Sequence, residues 1–161
     1  MVKIIKLEPI KQEVVVKTNT PLLSGLLQQD LKIMQVCGHR GLCATCHVYI
    51  KDGMESLSPM TRREQRTLGI IETCRNNSRL ACQTHVLGEG VTVELPSGMY
   101  VSDIHNTQEL VGRRAQKDIL HPLTGKVLVE ESKLITRSMI SLLDETRIST
   151  EQYLKNSEQV V

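Results

Sequence analysis

The chain has 161 residues, enough for one ordinary domain or for a small domain with an appendage. Twenty Lys and Arg against 18 Asp and Glu leave a net charge of only +2, too even for an unspecific nucleic-acid binder, which needs a concentrated basic excess. Apolar residues make up 40% and charged residues 24%, which argues against wholesale disorder, and no run of about 18 apolar residues exists to span a membrane. Lysines interrupt Met1-Val2-Lys3-Ile4-Ile5-Lys6 too early for a signal peptide. Five cysteines without an export signal point to metal or redox chemistry in the cytoplasm rather than to structural disulfides. Tyr49, Tyr100 and Tyr153 are the only aromatics, so the core is expected to be aliphatic.

Residues 2–7 and 13–17 read as two strands joined by a turn at Glu8-Pro9. Thr20-Pro21 is a helix start, a capping hydroxyl followed by Pro at the first helical position, and Leu22, Leu23, Leu26, Leu27 and Leu31 continue it as an apolar stripe. Residues 37–46, rich in Gly and Cys, read as loop. Residues 46–50 follow as a strand, closed by Lys51-Asp52-Gly53. Thr61 and Glu64 form a capping-box pattern that opens a helix to about Ile71. Residues 80–86 and 91–95 read as strands separated by Gly88-Glu89-Gly90, and the best boundary is Leu95-Pro96-Ser97-Gly98. Beyond it, residues 125–129 suggest a short strand, residues 134–143 a helix with apolar positions 135, 139, 140 and 143, and the chain from about Lys155 a loose end.

The chemistry sits in the cysteines. Cys37, Cys43 and Cys46 form C-x5-C-x2-C, and Cys82 follows after 35 residues. Three thiolates on one small loop surround a metal centre from one side, and a fourth, distant in sequence, closes it. Gly38 and Gly41 let the backbone curl so that its N–H groups point inward at an anionic centre, and the small Ala44 and Thr45 keep side chains clear of it.

The stretch Cys37-Gly38-His39-Arg40-Gly41-Leu42-Cys43-Ala44-Thr45-Cys46-His47-Val48 resembles the cluster loop of [2Fe–2S] ferredoxins. Its five-residue first gap is similar to that of the adrenodoxin-like branch, since the plant branch has four, and Asn77-Ser78-Arg79-Leu80-Ala81-Cys82-Gln83 resembles the fourth-ligand region of the same branch. The resemblance covers residues 1–97. It implies an α+β protein: a β-grasp, ferredoxin-like mixed sheet crossed by a helix, with residues 98–161 as a small C-terminal strand–helix extension. It further implies a one-electron carrier rather than an enzyme, holding a single [2Fe–2S] cluster, with Cys37, Cys43, Cys46 and Cys82 as its cofactor-binding and metal-ligating residues.

Other centres use the same residue types. Structural zinc usually takes two short C-x2-C or C-x2-H hooks, whereas three of these cysteines crowd one loop. A Rieske centre would use Cys37-Gly38-His39 and Cys82-Gln83-Thr84-His85 but leave Cys43 and Cys46 unexplained. A disulfide between Cys43 and Cys46 is the remaining option. Cys74 reads as a buried small thiol. His47, which the adrenodoxin-like branch also carries, is expected to tie the loop to the body by a hydrogen bond. His39 and His85 are expected to be polar residues near the cluster, and His105 and His121 surface residues. Without Phe or Trp, Leu42, Met34, Leu80 and Val36 would have to shield the centre.

Residues 62–79 hold Arg62, Arg63, Arg66, Arg75 and Arg79 against Glu64 and Glu72. In adrenodoxin-like ferredoxins this region is acidic and docks basic partners. This arginine cluster is either an ordinary solvated face or a docking surface of reversed sign, in which case the redox partners, a reductase and an electron acceptor, are acidic where they dock near Arg62, Arg63 and Arg66. No nucleic-acid partner and no transmembrane segment are expected, and the carrier is expected to be monomeric. Residues 112–148, with His121-Pro122-Leu123-Thr124-Gly125-Lys126-Val127-Leu128-Val129, resemble a small element of bacterial RNA polymerase β subunits. That likeness implies a compact strand–helix module, either an interaction module or a packing extension. Two further roles stay open: a redox-sensing regulatory or assembly factor whose C-terminal module binds a protein, and an electron-transfer subunit of a larger oxidoreductase.

Overall fold

The computed structural model describes residues 1–28, 37, 38, 40–104 and 106–159; Leu31, Met34, Val36, His39 and His105 lie outside the described residues. Strands β1 (Val2–Glu8) and β2 (Gln12–Lys17) form an antiparallel hairpin in which Ile5 faces Val14 and Lys3 faces Val16. The two-residue period buries Ile5, Leu7, Val14 and Val16 and leaves Ile4 and Val15 outside. After β3 (Thr20–Pro21) comes α1 (Leu22–Leu27), which buries Leu22, Leu23 and Leu26. The helix starts one residue later than Pro21 suggests, because Thr20 and Pro21 are held extended by a strand pairing. Gly25 allows close packing: a Cβ there would lie 2.5 Å from Val16 Cγ1.

Strand β4 (His47–Asp52), helix α2 (Arg62–Ile70), β5 (Ser78–Leu80), β6 (His85–Val86) and β7 (Val91–Glu94) complete the first part. The main sheet runs β2-β1-β7-β4-β5, with β1 and β7 parallel and every other neighbour antiparallel, while β3 pairs with β6. This is the expected α+β mixed sheet crossed by a helix. The single strand expected over residues 80–86 is instead two strands in different sheets. β5 pairs with β4 and β6 with β3, so the chain turns between them, with Gln83 N–H donating to Leu80 O at 3.0 Å. That turn carries Cys82. The capping box is half formed: Thr61 Oγ1 accepts from Glu64 N–H at 3.2 Å, but the Glu64 carboxylate points into the protein.

Beyond β7, β8 (Met99–Tyr100), β9 (Ile119–Leu120) and β10 (Val127–Val129) make a second sheet of order β10-β9-β8, followed by α3 (Arg137–Gln159). Val101, Ile104, Ala115, Ile119, Val129, Ile135, Ile140 and Leu143 form a core of their own. The helix differs at both ends from the sequence expectation of 134–143 followed by a loose end. Ile135 N–H donates to Arg113 O and keeps residues 134–136 extended, and Thr136 Oγ1 accepts Met139 N–H as the cap. At the other end the helix continues for 23 residues in all, because its buried stripe passes through threonines. Thr146 and Thr150 are buried with their hydroxyls donating to Leu142 O and Thr146 O, both at 2.8 Å, and Leu154 ends the stripe.

The seat of α1 is testable. Gly25→Val forces a branched side chain against Val16 and should destabilise the fold by about 1–3 kcal/mol. Thermal melting measures this; an unchanged midpoint would mean that α1 does not rest on the hairpin.

Candidate metal centre

The cysteine loop runs on into β4. Its turns rest on Gly38 and Gly41, with φ of 64° and 70°, the left-handed region where glycine is favoured. At Gly41 a Cβ would also lie 2.9 Å from the Gln83 side chain. Arg40 Nε donates to Cys37 O at 2.7 Å and Thr67 Oγ1 to Gly41 O at 2.5 Å, so α2 clamps the loop from one side. Ala81 N–H donates to Cys46 O and Leu23 N–H to Ala81 O, both at 3.0 Å, which fixes the Cys82 turn between β4 and α1.

Cys37, Cys43, Cys46 and Cys82 are all buried and all free thiols. They converge as two pairs. Cys46 Sγ lies 3.3 Å from Cys82 Sγ, and Cys37 and Cys43 each shift the other's titration. Among the described residues no three His, Cys, Asp or Glu side chains surround one point that could hold a single metal ion. In each pair one sulfur is held as the better anion. Cys37 is pushed down to about 5, first by the hydrogen bond from Cys43 and, against the effect of burial, by the N–H groups of Leu42, Arg40 and Gly41. Cys82 is lowered, first by the hydrogen bond from Cys46 and then by that from Gln83. Their partners Cys43 and Cys46 are raised, first by those same hydrogen bonds and then by burial. Thr45 Oγ1 lies 2.9 Å from Cys43 Sγ. The curled backbone thus supplies the inward N–H donors that the glycine spacing suggests.

Behind the loop lies an interaction that the sequence did not disclose. Arg79 and Glu64, grouped with surface charges above, are buried, with side-chain exposures of 3% and 0%. Arg79 Nε and Nη2 donate to the two Glu64 oxygens at 2.7 and 3.2 Å, and Nη2 also donates to Ser58 O at 2.9 Å. Leu80 N–H donates to Glu64 Oε1 at 3.0 Å, and Thr84 Oγ1 lies 3.2 Å from the same oxygen. One carboxylate thereby joins α2 to the residues flanking Cys82. The S-x-L-x-C pattern, read as a ligand region, gives no sign that the residue between Ser78 and Leu80 turns inward.

His47 Nε2 lies 2.8 Å from Ser78 Oγ, the tie to the body that the sequence suggests, and its ring meets Tyr49 edge-on. Burial first, then the charge of Arg75, pushes His47 down to about 4, so it is neutral near pH 7. Arg75 stacks 4.2 Å over Tyr49. Cys74, expected to be buried, is exposed, because Tyr49 and not the thiol fills the space under residues 73–75, its hydroxyl donating to Thr73 O at 3.0 Å. His85 is partly buried in β6. His121, expected on the surface, is half-buried, and its Nδ1 accepts Leu123 N–H at 3.1 Å. Arg62, Arg63 and Arg66 are exposed on α2 as expected.

The C-terminal part covers the loop. Ala44 N–H donates to Pro122 O at 2.6 Å, Tyr100 Oη donates to Ala44 O at 2.7 Å, and Arg40 Nη2 donates to Leu154 O at 3.3 Å. Leu42, Leu123 and Leu154 pack around Cys37 and Cys43. Of the expected shielding residues, Leu42 packs beside Cys37 and Cys43 with Leu123 and Leu154, Leu80 is buried in the main core, and Met34 and Val36 lie outside the described residues.

Two buried dithiol pairs suit a centre with two metal ions better than one ion in a tetrahedron of thiolates, and soft sulfur donors suit iron and sulfide. They also engage Cys43 and Cys46, which a two-Cys, two-His centre would leave out. Site and sheet together define a β-grasp iron–sulfur protein. Residues 5–87 match the family model of the 2Fe-2S iron-sulfur cluster binding domain, and the chain belongs to that family. It is 31% identical over 80 residues to the 2Fe-2S ferredoxin of Pseudomonas aeruginosa, an alignment covering 50% of this chain and 71% of that protein. It is also 31% identical over 75 residues to the 2Fe-2S ferredoxin of Escherichia coli K12, covering 47% and 68%. Among solved structures, the ISC-like [2Fe-2S] ferredoxin of Pseudomonas putida superposes with a TM-score of 0.51 at 26% identity, over 59% of this chain and 91% of that one. The protein is accordingly a [2Fe–2S] electron carrier, in a family of carriers rather than enzymes. No helix among the described residues is long and apolar enough to cross a membrane.

The Glu64–Arg79 pair should be costly to break. Arg79→Leu leaves the carboxylate buried and uncompensated, for a loss of about 3–5 kcal/mol. Denaturant unfolding measures it, and a loss below about 1 kcal/mol would show that Glu64 does not depend on Arg79.

Proposed function

We propose that Cys37, Cys43, Cys46 and Cys82 are the four ligands of the cluster, the first two serving one iron and the last two the other. The division of the four buried thiols into two pairs carries this reading. When bound, the cluster takes up and gives back one electron. The chain's own groups do the rest. The N–H groups of Arg40, Gly41, Leu42 and Thr45 oppose the negative charge of the thiolates. Leu42, Leu123 and Leu154 keep water from the Cys37–Cys43 side, and the Glu64 bridge keeps Cys82 in register with the loop.

The protein works as a carrier and not as an enzyme, as a monomer in the cytoplasm. Residues 1–97 are its ferredoxin domain and residues 98–161 an extension that doubles as an interaction module; the separate aliphatic core beyond β7 supports this division. Its partners are redox proteins, a reductase and an electron acceptor, acidic where they meet Arg62, Arg63 and Arg66. The exposure of these three arginines and the absence of ion pairs to them among the described residues support that sign.

Metal analysis and the visible spectrum test the ligand set. The protein purified without oxygen should be red-brown with equal iron and acid-labile sulfide. Ser at position 37, 43, 46 or 82 should remove most of the colour, whereas Cys74→Ser should keep it. Stoichiometric zinc in a colourless protein, or bleaching by Cys74→Ser, would refute the assignment.

A further inference from the structure

We propose that the edge strand β2 pairs antiparallel with β2 of a second copy of this chain when the protein is concentrated, centred on Val15. Two five-stranded sheets then join into one. This goes beyond the carrier reading, which takes the dilute chain as a monomer. β2 ends the sheet order β2-β1-β7-β4-β5, and β1 is its only strand neighbour among the described residues. Thr18 N–H donates to Met1 O at 3.1 Å, which sets the phase of the hairpin ladder. Val14 and Val16 bond to β1, and the backbone groups of Glu13, Val15 and Lys17 point away from it. A row of this kind is a template for another strand.

The side chains say which strand fits. Glu13, Val15 and Lys17 share the outer face of the sheet and are exposed, Val15 by 53%, and Ile4, 50% exposed, stands opposite Val15 on β1. Neither Glu13 nor Lys17 has an ion-pair partner among the described residues. Charges on an edge usually repel a copy, but these two differ in sign and lie two residues either side of Val15. An antiparallel copy centred on Val15 therefore sets Glu13 against Lys17 twice, by symmetry, and Val15 against itself. Ile4 and Val15 of both copies then form one aliphatic stripe. A slide by two residues either way keeps the ladder in phase but sets Lys17 against Lys11 or against Val15, so a single register is favoured. The ladder is short. Lys11 and Asn19 turn the chain at its two ends with φ of 53° and 65°, and the Thr20 hydroxyl already donates to Lys17 O at 2.7 Å. Such a contact stays well below the roughly 1,200 Å² of a stable interface, so association is weak and reversible. Cys46 adjoins β4 and Cys82 follows β5, three and four strands from β2, roughly 14–19 Å at about 4.8 Å per strand. Pairing at β2 therefore leaves the cysteine site open in both copies.

Sedimentation velocity on the full-length, cluster-bearing protein tests this, from about 10 μM to about 1 mM, the range in which a weak dimer forms. The mean sedimentation coefficient should climb from the monomer's value toward the dimer's, with the visible spectrum unchanged. Glu13→Lys and Lys17→Glu, each alone, should weaken association at least about fivefold, because each turns two attractive pairs into repulsive ones. An equal mixture of these two variants should associate as the natural chain does, since the reversed charges then face each other across the copies. Val15→Lys, which sets two like charges on the symmetry axis, should keep the protein monomeric up to about 1 mM. All three side chains are exposed, so melting of the dilute variants should stay close to that of the natural chain. A natural chain that remains monomeric throughout would overturn the proposal. So would association that survives Val15→Lys, or single-variant losses that mixing does not restore, since the contact would then lie elsewhere.

Discussion

Glu64 is an acid with no exposed surface, held by the guanidinium of Arg79, by Leu80 N–H and by the Thr84 hydroxyl. A charge in the interior is tolerable only when fully paired, and removing one partner costs far more than the pair contributes in net stability. That asymmetry makes the arrangement a positional constraint. α2 cannot shift without stranding the carboxylate, and β5 cannot shift without stranding the guanidinium. The Cys82 turn lies between Leu80 and Thr84, both in the network, while Thr67 on the same helix holds Gly41 of the cysteine loop. Cys46 and Cys82, 36 residues apart in sequence, are thus gauged against one helix.

The same constraint sorts the positive charges. Arg79 is neutralised inside, and Arg75 lies flat on Tyr49. Arg62, Arg63 and Arg66 remain outside, beside a buried group of sulfurs that favours negative charge. Exposed charges of this kind add little to folding, but they act over about 8 Å at physiological salt, far enough to bias how a charged partner approaches. With Glu64 turned inward, the inner charge pair fixes the fold and the outer arginines set the field.

What the sequence made legible was local. Pro21, the two-residue alternation of β1 and β2 and the cysteine spacing each carry their meaning within a few residues. Arg79 and Glu64 looked like ordinary surface charges because burial of an ion pair is written in no local pattern. The strand expected over residues 80–86 failed because its two ends belong to different sheets. The C-terminal helix was underestimated because Thr146 and Thr150 read as polar. Their hydroxyls bond back to the helix, so they occupy buried positions without leaving a donor unpaired. Cys74 went the other way: apolar neighbours were assumed for it, and Tyr49 took the space.

The extension shows why these failures matter together. No pattern in residues 98–161 says that Pro122 will accept from Ala44 or that Leu154 will lie on Cys37 and Cys43. The Leu154 contact follows from the length of α3, whose buried stripe runs through the two threonines. The family match ends at residue 87, short of this part. Here the loop is enclosed by further chain on one side and flanked by arginines on the other. An aliphatic protein without Phe or Trp has few bulky groups with which to exclude water from an anionic centre. Leu123 and Leu154 of the extension supply apolar cover on Cys37 and Cys43, Tyr100 bonds Ala44 beside them, and the 23-residue α3 places Tyr153 at the edge where the arginines begin.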